Sequence, residues 1–264
     1  VALGLSGLWT SASDMKIKRP RDVCALCRAP KPLCRSHIIS EFLYKPSYDA
    51  KHRLHVISTD SSQQPGFEQK GLSEPMLCAG CEGRFSRYEG HARQVLFGDL
   101  VAATNTGHGF GKVFQVDYSL FKLFVLSLIW RMDESNLEYF CSVDLGPHAE
   151  AIRAALLAET PLSEDRYPFA ITAVKLKGVF REDILLQPDR IRVDNRIVYR
   201  FIARGLLFAI WITKMPPPVE LAAGILKSDG RLLILEQEAD QIGYLAKIFG
   251  RLADAMRTRE NEAD

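Results

Sequence analysis

Two cysteine pairs constrain this chain more than any other feature. Cys24-Ala25-Leu26-Cys27 and Cys78-Ala79-Gly80-Cys81 lie far apart in sequence. A Cys-x-x-Cys turn holds two sulfurs close enough to share one ion, and two such turns supply the four thiolates of a closed tetrahedral zinc site. On this reading residues 24–27 must fold against residues 78–81, and the zinc is structural, because four thiolates leave no position for a reactive water. The second pair runs into Glu82-Gly83-Arg84-Phe85-Ser86-Arg87-Tyr88-Glu89, which reads as a helix. Cys81 then falls near a helix N-terminus, where the helix dipole favours a thiolate. Free-thiol turns or a redox pair would carry the same spacing; its double occurrence favours zinc.

The other two cysteines, Cys34 and Cys141, do not complete a disulfide framework. This cysteine usage suits a reducing cytoplasm and metal binding. The 264 residues are enough for a sizeable core, and 47% apolar with 25% charged residues are ordinary for a globular chain. A net charge of +2 conceals an uneven distribution: residues 15–95 carry 14 Lys/Arg against 8 Asp/Glu. The cysteine-bearing part is therefore the basic one, as expected of a part that meets phosphates, although a solvated basic face has the same count. Residues 1–14 lack the basic segment of a secretory signal and are expected to be a disordered leader.

Along the chain, Leu33 to Ile39 is expected as a strand, Glu41 to Lys45 as one helical turn ended by Pro46, and His52 to Ile57 as a second strand. The stretch from Glu68 to Glu74 is too short and too charged to assign. A helix from Glu82 to about Phe97 would place Phe85, Tyr88, Ala92, Val95 and Leu96 on one stripe. The glycine-rich Leu100 to Gly111 reads as a loop and a boundary. Asp117 caps the most apolar segment, Tyr118 to Arg131, a buried core helix too short for a bilayer and interrupted by Lys122. Pro147 to Glu159 is amphipathic, with Ala151, Ile152, Ala155 and Leu156 inward. From Pro168 the period becomes that of strands, at Phe169–Val174, Ile191–Val193, Ile197–Ile202, Leu206–Thr213 and Leu232–Leu235, with turns at Asp194-Asn195-Arg196 and Asp229-Gly230. Gln237 to Arg257 is expected as a final helix. The chain thus divides into a zinc-binding module over 15–98 and an α+β domain with a mostly antiparallel sheet over 112–258.

Ser36-His37-Ile38-Ile39, followed by Leu77-Cys78-x-x-Cys81-Glu82, resembles the zinc-containing branch of the HNH, or His-Me finger, endonucleases. The resemblance spans roughly residues 23–91 and implies a zinc-braced ββα (treble-clef-like) module holding one catalytic metal. Residue by residue, His37 matches the general base. Ser36 stands where the family has Asp or His, Ser73 where it has the middle Asn, and Glu82 where it has the second metal ligand. The resemblance therefore implies a hydrolase of DNA phosphodiester bonds, with His37 and Glu82 catalytic and Mg²⁺ or Mn²⁺ at Glu82, a carboxylate suited to such hard ions.

Arg28, Arg35, Arg84 and Arg87, together with Lys31, flank the metal turns and are candidate phosphate contacts; a solvated face is the alternative. Each other candidate also has a plainer reading. His37 among Leu33, Ile38 and Ile39 could be a core histidine or a zinc ligand, Glu82 a residue that favours a helix N-terminus, and Cys34 either a ligand or a small buried residue. Serines at 36 and 73 keep a second function open: a non-catalytic zinc module that binds nucleic acid or a protein partner, including a second copy of the chain. Neither function involves a membrane.

Overall fold

The computed structural model describes residues 22–48, 51, 54–56, 66–68, 72–98, 104–105, 111–213 and 222–248. The expected leader, the Pro216-Pro217-Pro218 segment and the stretch from 249 onward lie outside the described residues, as do most of 99–110.

The N-terminal part is built on a two-stranded antiparallel sheet and a helix. Strand β1 (Leu33–His37) pairs antiparallel with β4 (Ser73–Cys78), and β4 leads directly into helix α1 (Ala79–Phe97). The expected strand at His52–Ile57 is β2 (Leu54–Val56), which pairs with β3 (Gly66–Glu68). Pro75 hides β4 from a reading by strand propensity. Cys34 faces Leu77 and Arg35 faces Pro75, so Met76 is the extra residue of a bulge, and its carbonyl accepts the N–H of Ala25 at 3.0 Å. The bulge thereby fastens the first cysteine turn to the strand that carries the second. Glu41–Leu43 and Lys45–Ser47 form two 3₁₀ turns, and Pro46 sits in the first turn of the latter instead of ending the structure. Its missing N–H costs nothing there.

Strand β5 (Thr104–Asn105) pairs with β6 (Gly111–Gln115) within the stretch expected as loop. Helix α2 (Tyr118–Glu134) follows, with the Asp117 carboxylate accepting the Leu120 N–H at 2.9 Å. Every residue of α2 from Phe121 to Met132 is buried. Helix α3 (His148–Ala158) turns Ile152, Ala155 and Leu156 inward. No helix among the described residues is long and apolar enough to cross a membrane.

The remaining strands are β7 (Phe169–Leu176), β8 (Val179–Phe180), β9 (Leu186–Val193), β10 (Arg196–Ala203), β11 (Leu206–Ile212) and β12 (Arg231–Glu238). They join β5 and β6 in one eight-stranded sheet of order β5-β6-β12-β7-β11-β10-β9, with β8 on β7. Each pairing is antiparallel except β7–β12. The protein is thus α+β with a mostly antiparallel sheet. Asp194 and Asn195, both at positive φ (47° and 60°), make the tight turn between β9 and β10. Gly230 (φ 85°) lies so close to the Val116 carbonyl that a Cβ would collide with it.

The expected helix from Gln237 is corrected at its start. Gln237 and Glu238 still belong to β12, opposite Val174 and Lys175; a 3₁₀ turn follows at Ala239–Gln241, and helix begins only at 243. Pairing with β7 overrides the helix propensity of these residues.

Both faces of the sheet are covered, which accounts for the unbroken apolar run of β11. Leu206, Phe208, Ile210 and Ile212 join the main core, whereas Leu207 packs with Val174, Ile202, Leu245 and Ile248, and Trp211 with Val198 and Ile225. The main core is continuous from the cysteine-bearing part to the sheet: Leu26, Ile38, Phe85 and Tyr88 belong to the same cluster as Phe124, Trp130, Phe169 and Tyr199. The segments expected as two units therefore share their interior.

Lys122 is buried inside this core. Its Nζ donates to the Tyr167 carbonyl at 2.9 Å and lies 5.5 Å from the Phe169 ring centroid. Burial pushes its pKa down to about 7, against the opposing pull of Asp165 and Glu164. Between that value and the ordinary lysine value the unfolded chain binds the proton and the folded one does not, so stability rises with pH across this window. Relative to Lys122→Met, the wild-type protein is expected to gain about 2 kcal/mol between pH 7 and pH 9. Denaturant titrations at the two pH values test this, and parallel pH profiles for the two proteins would refute it.

Candidate metal centre and its surroundings

The four paired cysteines come together. Their sulfurs all lie within 4.8 Å of one another, and Cys24, Cys78 and Cys81 are buried while Cys27 is half-buried. The first turn is shaped by Cys24 N–H donating to Ala29 O (3.0 Å), Arg28 N–H donating to Cys24 O (2.8 Å), and Arg28 in the left-handed region (φ 57°). In the second turn, Cys78 is the N-cap of α1 and Cys81 lies in its first turn. The Cys78 N–H donates to Cys24 Sγ at 3.3 Å, linking the two turns directly.

The Cys27 and Cys78 sulfurs are 3.9 Å apart. That separation is far beyond a disulfide bond and close to the edge of about 3.8 Å of a tetrahedron with metal–sulfur bonds of about 2.3 Å. All six cysteines are free thiols, with Cys34 half-buried and Cys141 exposed, both outside the cluster. Burial raises the pKa of Cys24, and burial together with the Cys78 and Cys24 sulfurs raises that of Cys81. For Cys78 burial works the same way but is outweighed by the Cys81 backbone N–H and the neighbouring thiols, leaving it at about 7. A site that resists four negative charges in so small a volume suits a divalent cation, and the donor set fits a soft, tetrahedral one such as zinc.

Beside this cluster lie the other positions singled out in the sequence. The strand register sets Ser73 directly opposite His37. Ser36 is fully buried; its Oγ accepts the Leu77 N–H at 3.1 Å and donates to Glu82 Oε2 at 2.7 Å. Residues 36 and 82, at opposite ends of the motif, are thus in contact. His37 is half-buried, and its Nδ1 is 2.5 Å from the Tyr44 hydroxyl.

Other acidic and imidazole groups near the motif are engaged elsewhere. Glu74 accepts from Asn136 N (2.9 Å) and Nδ2 (3.4 Å). Glu89 pairs with Arg131 at 2.8 Å and accepts from Ser40 Oγ at 2.8 Å. His91 Nε2 accepts the Asp117 N–H at 3.2 Å, and burial holds its pKa below the usual value against the pull of Asp117. Among the described residues, the four cysteines are the only cluster of three or more Cys, His, Asp or Glu side chains placed to hold a metal ion.

The arginines near the metal turns largely face α3. Arg28 pairs with Glu150, while Arg84 (Nε to Oε1, 3.0 Å) and Arg87 both pair with Glu159. Arg84 also donates to the Leu157 carbonyl, and Arg153 donates to the Leu26 carbonyl. Arg35 donates from Nε to Ser73 Oγ at 2.9 Å. Three of the four candidate phosphate contacts thus clamp the cysteine-bearing part to the C-terminal half, with Arg28 and Arg87 still about 60% exposed.

Sequence reasoning missed Tyr44, Ser40 and Arg131. Arg131 is 1% exposed and donates to Glu89, to the His37 carbonyl at 2.6 Å and to the Ser127 carbonyl at 3.2 Å, with the Phe85 ring centroid 5.4 Å away. One signal could have found it: a cation at the end of an otherwise apolar buried helix requires a partner. Comparison of the chain with protein-family models, curated proteins and solved structures finds no match.

Proposed function

We propose that the protein is a metal-dependent endonuclease of the His-Me finger type, acting on DNA. In this reading Zn²⁺ at Cys24, Cys27, Cys78 and Cys81 braces the β1–β4–α1 unit and takes no part in the chemistry. The observation that carries the reading is the meeting of distant motif positions beside the cysteine cluster: Ser36 Oγ lies 2.7 Å from Glu82, and Ser73 faces His37 across the β1–β4 strand pair.

His37 removes a proton from the attacking water as its oxygen bonds to phosphorus and the bond to the leaving sugar oxygen breaks. Glu82 is the carboxylate that would hold Mg²⁺ or Mn²⁺, and Ser36 orients it by donating to Oε2, with no hydrogen bond to Oε1 from the described residues. One or two carboxylates plus substrate phosphate commonly suffice for Mg²⁺. Such an ion supplies charge stabilisation for the phosphoryl oxygens and the leaving group.

Plasmid cleavage in Mg²⁺ or Mn²⁺ tests the proposal. His37→Ala is expected to lower the rate at least about 10²-fold with fold, zinc content and DNA affinity kept, because the base acts only in the chemical step. Glu82→Ala is expected to weaken the dependence on the divalent ion. Retained cleavage in His37→Ala would overturn the assignment of the base.

A second reading, a non-catalytic zinc module that binds nucleic acid or a protein, draws on two observations. Ser36 occupies one oxygen of Glu82, and Glu150 and Glu159 engage three of the four candidate arginines. Salt-dependent DNA binding without cleavage under any of these ions would favour it. Neither binding nor cleavage would point to a protein partner.

A further inference from the structure

We propose that the cavity between the C-terminal end of α1 and the sheet binds a small aromatic carboxylate. The proposal does not depend on the nuclease reading. At 1.5 Å per residue, Phe97 stands about 22 Å along α1 from Glu82, so the cavity lies well away from the candidate metal site.

The cavity has a volume of about 260 Å³. Ala173, Leu206 and Ile234 line it from the face of the sheet that carries the main core, and Phe97, Phe114 and Phe180 add three aromatic rings. An apolar cavity of about 150 Å³ already holds benzene, so this one accommodates two fused rings. The fold fixes its walls. The Phe97 ring packs against that of Phe42, with centroids 6.2 Å apart, and the Arg204 guanidinium lies 3.7 Å from the Phe97 centroid. Phe180 owes its place to Gly205 (φ 70°), where a Cβ would come within 2.9 Å of the ring. Three rings on one space favour a flat aromatic ligand, which gains offset-stacked or edge-to-face contacts that an alkyl chain does not.

The charged side chains of the cavity decide the sign of the ligand. Glu182 accepts from Arg204 Nε at 2.7 Å and Nη2 at 2.6 Å, and is thereby neutralised. Glu236 pairs with Lys175. The Lys112 Nζ is 3.8 Å from Glu236, beyond hydrogen-bond reach, and its side chain is 52% exposed. Among the described residues Glu236 is the only acid beside Lys112. Two ammonium groups therefore share one carboxylate, and one positive charge is left over. A carboxylate on the ligand completes this unit by accepting from Lys112 while the ring enters the apolar space.

Isothermal titration calorimetry of the full-length protein with indole-3-acetate, indole-3-acetamide and tryptamine tests the assignment. The three share one ring system and carry a negative, no and a positive charge at neutral pH. Indole-3-acetate is expected to bind tightest, about 10-fold over the amide, and to weaken as salt is raised. Lys112→Gln alters an exposed side chain, and is expected to abolish that preference with the affinity for the amide unchanged. Lys177→Gln, at an exposed lysine outside the cavity, is expected to keep the preference. Glu236→Gln removes the competing carboxylate and is expected to tighten indole-3-acetate about 3-fold. Ala173→Leu fills the space and is expected to weaken all three at least about 10-fold in a protein that still melts cooperatively. Wild-type protein that does not bind indole-3-acetate, equal affinity for the acetate and the amide, or Lys112→Gln without effect overturns the proposal. Octanoate binding more tightly than indole-3-acetate also overturns it, because the cavity would then take an alkyl chain.

Discussion

Cys78→Ser protein is expected to purify without bound metal and to lose its cooperative thermal transition, while wild-type protein carries one zinc per chain. Cys78 is at once a member of the four-sulfur cluster, the N-cap of α1 and the donor of the N–H bond to Cys24 Sγ. Its serine replacement cannot supply the thiolate, and a three-thiolate site loses most of its affinity. Structural zinc contributes about 10–16 kcal/mol of apparent binding free energy in zinc-finger peptides, against a total stability of about 5–15 kcal/mol for a typical domain. The loss is not confined to the cysteine turns, because Cys24, Leu26, Cys78 and Cys81 belong to the same apolar cluster as the α2 core. Cys34→Ser and Cys141→Ser are the controls, expected to keep the metal. Elemental analysis and melting by circular dichroism provide the measurement; wild-type protein without metal that melts like Cys78→Ser would sink the assignment.

The second large effect is expected at Arg131. Arg131→Met keeps the length of the side chain but removes the donor to Glu89, to the His37 carbonyl and to the Ser127 carbonyl. Breaking a buried ion pair from one side costs about 3–5 kcal/mol, since the remaining charge has lost its partner in a poorly solvated place. Glu89 is 25% exposed, so water relieves part of that cost and the lower end of the range applies. The double variant Arg131→Met/Glu89→Met is expected to recover part of the loss, because it leaves no unpaired charge. Denaturant unfolding of the two single variants and the double variant measures the coupling. Strict additivity would show that the ion pair contributes nothing as a pair. Because α2 reaches the His37 carbonyl through this side chain, Arg131→Met is also expected to weaken the positioning of His37.

The parts of this protein that were legible in the sequence are those whose cause is local. Two Cys-x-x-Cys turns announced a shared site because the spacing alone sets the distance between sulfurs within each pair. Asp117 announced the start of α2 because an N-cap acts within three residues, and Asp194-Asn195 announced a turn because few other pairs tolerate positive φ twice. The stripe of α1, with Phe85, Tyr88, Ala92 and Val95 buried, could likewise be read from side-chain period.

Tertiary structure decided what depends on partners distant in the chain. Strand β4 contains Pro75 and is a strand because β1 lies beside it. Gln237 and Glu238 are extended because β7 offers a parallel edge, whatever their own preference. The arginines around the metal turns looked free for phosphate until Glu150 of α3 and Glu159 at its C-cap came within reach. Ser36 looked like a lost ligand, and folding gives it a hydrogen bond to Glu82. In each case the deciding energy is a pairing between residues whose separation along the chain carries no information about their distance in space, so composition and spacing could name the groups but not their partners.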